Sequence, residues 1–220
     1  MTKQTKTTIA TSIFLAVVVL HIFGILTNDF LAFISKPFII TTLVIVYLVS
    51  VKKPNFWYVS ALFFSFWGDV LLLFKDHFFV FGLASFLLAH IFYIKIVAGF
   101  IKKISLQKVF VVCLPFVVFL FSFLYFLKDN LGEMTIPVII YGIVICTLGA
   151  ISLLNYRQEK SSVNLWMFLG TIIFIISDGL IAVDKFINPN GIYQVFIMLT
   201  YIIAQYLICK ALIAKTSDEV

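Results

Sequence analysis

Runs of about twenty apolar residues recur from one end of this chain to the other, and nothing else in it restricts the fold as strongly. Each is long enough to cross roughly 30 Å of hydrocarbon as a helix. Eight can be drawn, at 8–27, 31–50, 55–74, 78–98, 106–127, 134–154, 163–184 and 191–213. The breaks read "TND", "VKKPN", "FKDH", "IKKIS", "LKDNLGE", "NYRQEKSS" and "DKFINPNG", rich in the Gly, Pro, Asn and charged residues that end helices. No stretch alternates polar and apolar residues as a membrane strand would. Backbone groups in lipid must be satisfied internally, so helices are the remaining solution. The expected fold is all-α: one polytopic membrane helical bundle over residues 1–220 with about eight transmembrane helices. Composition agrees, with 63% hydrophobic and 12% charged residues, where a soluble domain has roughly half and a quarter.

The formal charge of +6 would suggest nucleic acid as a partner for a soluble protein. Here the lysines sit in short loops, where membrane orientation explains them and no nucleic acid is expected. One side of the bundle holds Lys3, Lys6, Lys52, Lys53, Lys102, Lys103, Lys108, Arg157, Lys160, Lys210 and Lys215; the other holds Lys75, Lys128 and Lys185. By the positive-inside rule both termini are cytoplasmic. The expected location is the cell membrane, as a multi-pass protein of a bacterial inner membrane. The first run mimics a signal peptide, but "LTNDF" has no small-x-small cleavage site, so it reads as a retained helix. Cys113, Cys146 and Cys209 lie inside apolar runs without metal-ligand spacing and read as small packing residues.

Orientation converts position into depth. Asp69 lies about fifteen residues into the outward-running third helix, and Asp178 about as far into the seventh. A carboxylate in mid-membrane costs roughly 2.5–3.5 kcal/mol on insertion scales, so two at one depth call for a common explanation. Lys36 and Tyr141 fall at comparable depth, with His90 and Gln205 somewhat deeper. Helical spacing adds faces: Gly82, Phe86, His90 and Tyr93 form one stripe, and Gln194, Tyr201 and Gln205 another. Ser65 lies one turn below Asp69, and Ser177 adjoins Asp178. Polar side chains from several helices in one slab predict a buried polar cavity.

Each residue also has a plainer reading. Asp69 and Lys36 could form a structural ion pair, Lys36 could snorkel to the outer interface, and His90, Tyr141, Tyr201 and Gln205 could be interhelical hydrogen-bonding residues. Lys75, Asp76 and Asp184 read as solvated loop-end charges, and His21 and His77 as lying too near the outer ends to join the slab. No nucleophile elbow, zinc motif or phosphate loop is present, so no metal or cofactor is expected and hydrolysis would rest on carboxyl groups. The rival is a small-molecule or proton-coupled transporter, for which intramembrane acids are equally apt.

The segments "WGDVLLLF", "FGLASFLLAHIFYI", "GTIIFIISDGLIAVDKF" and "YIIAQYLI" resemble the YhhN family, whose animal members include lysoplasmalogenases. The likeness covers nearly the whole chain and includes Lys36-Pro37, Gly68-Asp69, the stripe from Gly82 to Tyr93, Tyr141, Ser177-Asp178, Tyr201 and Gln205. It implies hydrolysis of the vinyl ether bond of a lysophospholipid to a fatty aldehyde and a glycerophospho-base. Asp69 and Asp178 would then be the catalytic pair, with Lys36, His90, Tyr93, Tyr141, Ser177, Tyr201 and Gln205 binding substrate. Vinyl ethers react by protonation at carbon, and a secluded carboxyl group beside a second one is the usual way a protein keeps such an acid charged with its proton. Oligomeric state is left open.

Overall fold

The structure, a computed structural model, describes residues 2–218, with the side chains of Asp76, Ser217 and Asp218 outside the description. Eight α-helices follow in order: α1 Lys3–Thr27, α2 Asp29–Ser50, α3 Phe56–Leu72, α4 Lys75–Gly99, α5 Leu106–Leu127, α6 Thr135–Gln158, α7 Ser162–Phe186 and α8 Gly191–Asp218. Two short 3-10 turns, Lys128–Asn130 and Gly132–Met134, join α5 to α6. Seven of the helices are long and apolar enough to cross a membrane. The chain is a multi-pass membrane protein, as the sequence predicts.

α3 is the exception. Its 17 residues span about 25 Å, short of the hydrocarbon thickness. The sequence places its outer end near residue 74. The chain instead leaves the helix after Leu72, turns through Leu73 and Phe74, and re-enters α4 at Lys75 with no side-chain cap. Phe78 (φ −116°, ψ 16°) marks a kink in the first turn of α4. The inner end of α3 is better secured. Asn55 Oδ1 accepts from the Tyr58 N–H, and the Asn55 N–H donates to Tyr47 Oη at 2.9 Å.

Helices consecutive in sequence pack as hairpins: α1 with α2, α3 with α4, α7 with α8. Only Asn28 separates α1 from α2, and its side chain accepts from the N–H groups of Phe30 and Leu31. α4 and α6 then join these pairs, and α1 closes on α8. Where α7 meets α8, Gly170 lets the backbones touch: a Cβ there would lie 3.1 Å from the Ala204 carbonyl. α5 stands apart, packed chiefly on α6, with Phe110, Phe121 and Tyr125 about 70% exposed for lipid to cover. A crevice bordered by Lys3, Ser50 and Lys210 brings the start of α1 together with the ends of α2 and α8, so the lysine-rich ends share one face.

Candidate active site

The short α3 sets the depth of the site. Lys75, at the start of α4, reaches across to Asp184 near the end of α7, with Nζ to Oδ2 at 3.2 Å. Asp178 lies six residues below Asp184 on α7, about 9 Å along the axis. Asp69 lies six residues before Lys75, part of that distance being the turn. The two carboxyl groups therefore share a level. Asp184 is not the solvated loop-end charge that the sequence suggests, whereas Lys75 stays 43% exposed while pairing with it. Asp184 is buried, and its second oxygen accepts the Asn190 N–H, which pins the α7–α8 loop. Asp76 was expected to be solvated too, but its side chain is outside the described residues.

Asp69 is 3% exposed. Tyr201 Oη donates to its Oδ2 at 2.7 Å. Behind Tyr201 runs a closed polar chain: Gln205 Nε2 donates to Ser65 Oγ (3.1 Å) and, more weakly, to Tyr201 Oη (3.4 Å), while Tyr93 Oη donates to Gln205 Oε1 (2.7 Å). α3, α4 and α8 each contribute. An unsatisfied amide here would cost about 1–3 kcal/mol, and the arrangement leaves none. Tyr93 and Gln205 thus hold the frame around Asp69.

Asp178 is set differently. Tyr141 Oη donates to its Oδ2 at 2.6 Å, and no described residue donates to Oδ1. His90 is fully buried, and neither ring nitrogen has a hydrogen-bond partner. Its Nε2 stands 3.7 Å from Asp178 Oδ2, just beyond bonding range. The imidazole is held edge-to-face by Phe174 (4.7 Å) and Tyr141 (5.5 Å). Phe174 also packs on Phe86 and Tyr201, so an aromatic wall links the two acids. Ser177 turns away from this group: its hydroxyl donates to the Ile197 carbonyl of α8 at 3.0 Å.

Two cavities meet at this level. The first is a narrow apolar slot among α4, α5, α6 and α7, with Asp178 and Tyr141 on its wall. It is tight: only about 70 Å³ admits the centre of a water molecule. The second, a polar crevice toward the outer surface, admits water centres over about 370 Å³ and is bordered by His21, Asp29, Lys36, Lys75, Lys185 and Gln194. Leu72, Phe79 and Ile181 border both. Lys36 has no carboxylate within 4 Å among the described residues. Asp69 borders neither cavity. His21 is the residue that sequence reasoning left out. It is buried, with Nδ1 2.9 Å from Ser35 Oγ. Its six-residue distance from Thr27 was the available signal, since Asp178 lies as far below Asp184.

Two curated proteins named lysoplasmalogenase, from Mycobacterium bovis and Mycobacterium tuberculosis, are each 31% identical to this chain over 166 residues. The match covers 72% of this chain and 60% of the relatives' own length. No solved structure matches. Asp69, Asp178 and the residues around them, His21 excepted, fall within the stretch 31–212 that matches the YhhN family, and the chain belongs to that family.

Proposed function

We propose that this protein is an integral-membrane ether hydrolase that cleaves the vinyl ether bond of lysoplasmalogen-type lysophospholipids. The observation that carries the reading is the position of Asp178, on the wall of an apolar slot that adjoins a lysine-bearing crevice. A lipid with one chain and a phosphate head has the same division, and its vinyl ether lies where chain meets glycerol. The names of the two mycobacterial relatives support the same substrate class.

On this reading Asp178, in its protonated form, is the general acid. Its proton passes to the β-carbon of the vinyl ether, and the π electrons form the new C–H bond. The ether oxygen then shares the positive charge left on the α-carbon as an oxocarbenium ion. Water attacks that carbon and returns a proton to the Asp178 carboxylate. The resulting hemiacetal loses its hydroxyl proton, the glycerol oxygen gains one, and the C–O bond breaks to give aldehyde and glycerophospho-base. Tyr141 orients Asp178 through Oδ2, leaving Oδ1 to face substrate. Asp69, enclosed by Tyr201, supplies a nearby negative charge that favours the cation. Lys36 takes the phosphate. The two carboxylates thus divide their labour as in glycoside hydrolysis.

Purified protein in detergent is expected to release fatty aldehyde from lysoplasmalogen and nothing from the saturated ether analogue. Asp178→Asn and Asp69→Asn should each abolish release while remaining folded in the micelle. Full activity in either variant would remove the two-acid scheme. Absence of aldehyde from the unaltered protein, with gradient-driven uptake in vesicles, would favour the transporter.

A further inference from the structure

The polar crevice borders a buried, unpartnered nitrogen that the proposed chemistry does not use. Ser35 Oγ donates its only hydrogen to the Leu31 carbonyl at 2.6 Å, so toward His21 Nδ1, 2.9 Å away, it acts as acceptor. The proton of His21 therefore sits on Nδ1, and Nε2 carries a bare lone pair. His21 is 2% exposed, borders the crevice, and its Nε2 has no partner. A buried acceptor left empty costs about 1–3 kcal/mol, which a donor on a bound molecule would recover.

The surroundings say which donor. Lys36 borders the same crevice as His21, where Asp29 and Asp184 are outnumbered by Lys36, Lys75 and Lys185. A cationic donor beside them is disfavoured by repulsion, and a neutral hydroxyl is not. Lys36 meanwhile calls for an anion. We infer that His21 and Lys36 together read a phosphate ester with a free hydroxyl on the neighbouring carbon, His21 Nε2 accepting from the hydroxyl while Lys36 holds the phosphate. This deepens the proposed function and rests on it: His21 becomes the specificity-determining residue that admits lipids with a free central hydroxyl and turns away those in which it is acylated. Acylation removes the donor and leaves Nε2 unpaired beside a bulky ester.

Binding separates this inference from the hydrolysis it accompanies, because saturated ether lipids are not cleaved. The probes are a saturated ether lysophospholipid and its analogue with hydrogen in place of the central hydroxyl, each titrated against the full chain in detergent. The unaltered protein is expected to bind the hydroxyl form about tenfold tighter. His21→Leu should lose that preference by weakening only the hydroxyl form, and His21→Gln, which can return an acceptor near Nε2, should recover part of it. Glycerophosphoethanolamine, with the same head and no chain, should compete weakly. Equal binding of the two lipids by the unaltered protein, or a preference that survives in His21→Leu, overturns the inference even if aldehyde is released. Competition by the chainless head as strong as by the lipid reassigns the crevice to a soluble ligand and overturns it too. A hydroxyl preference without aldehyde release would sink the hydrolase and leave the recognition intact.

Discussion

Gly68→Ala tests how tightly the aromatic wall is tied to Asp69. The Phe86 ring lies against the Gly68 backbone, so an added methyl would sit 2.6 Å from Cδ2 and Cε2 and 2.9 Å from Cγ. Relaxed carbon contacts are about 3.5–4.0 Å, so the ring must retreat by about 1 Å. Phe86 is 4% exposed and packs edge-on to Tyr201 (5.8 Å) and Phe174 (6.5 Å). Its retreat therefore pushes the tyrosine that holds Asp69. Overpacking of this kind costs about 1–3 kcal/mol, while replacing glycine within a helix returns up to about 1 kcal/mol. Alone, Gly68→Ala should destabilise by up to about 2 kcal/mol and depress aldehyde release. In a Phe86→Ala background the struck atoms are gone, and the same change should be neutral or stabilising by up to about 1 kcal/mol. The assay is reversible unfolding of the four proteins by SDS in mixed micelles, read as a double-mutant cycle. Additivity within about 0.5 kcal/mol would refute the argument, because independent sites behave that way.

Lys36→Gln should raise KM roughly tenfold for a phosphate-bearing substrate, the worth of a charged hydrogen bond, and leave hydrolysis of an alkenyl glycerol without phosphate nearly unchanged. Equal losses on both would make Lys36 a counter-ion of Asp69. Gly179 lines the slot, and a Cβ there meets only Phe123 Cζ at an ordinary 3.6 Å. Gly179→Leu should thus fold, and it should slow hydrolysis of long alkenyl chains far more than of short ones; uniform slowing would place the chain elsewhere. Lys75 is 43% exposed, so Lys75→Met should cost under about 1 kcal/mol in unfolding experiments. Asp184→Ala also strands the Asn190 N–H and should cost about 1–3 kcal/mol; the reverse order would contradict the loop-pinning role.

The helices were legible because lipid demands long apolar runs, and the span read at 106–127 coincides with α5. The early end of α3 was not, since Leu72, Leu73 and Phe74 are equally apolar and hydropathy registers no helix end inside such a run. Depth was legible for the same reason as length: each helical residue advances 1.5 Å, so counting from the loops places Asp69, Asp178, Tyr141, Tyr201 and Gln205 in one slab. Rotation about each axis depends on neighbours. Which tyrosine serves which aspartate, and that Ser177 faces α8 rather than the carboxyl group beside it, needed the packed bundle.

The two acids, alike in sequence setting, differ most in how completely their surroundings are satisfied. Around Asp69 the hydroxyls of Tyr93 and Tyr201 and the Gln205 amide close on one another. This network is held at several points, because any rotation breaks a bond that the apolar surroundings cannot replace. Around Asp178 the account stays open: His90 keeps two unpartnered nitrogens, and Nε2 stops at 3.7 Å from the carboxylate. Unpaired buried groups are retained at a free-energy cost of about 1–3 kcal/mol each, and a protein with apolar alternatives at hand has no structural reason to keep them. The slot opens on this side and not on the other. On the proposed function, a bound vinyl ether supplies a proton acceptor at carbon and meets the acid whose neighbours still have bonds to give. On the proposed reading Asp69 and its network are the fixed half of the machine, and the incomplete half is where substrate completes it.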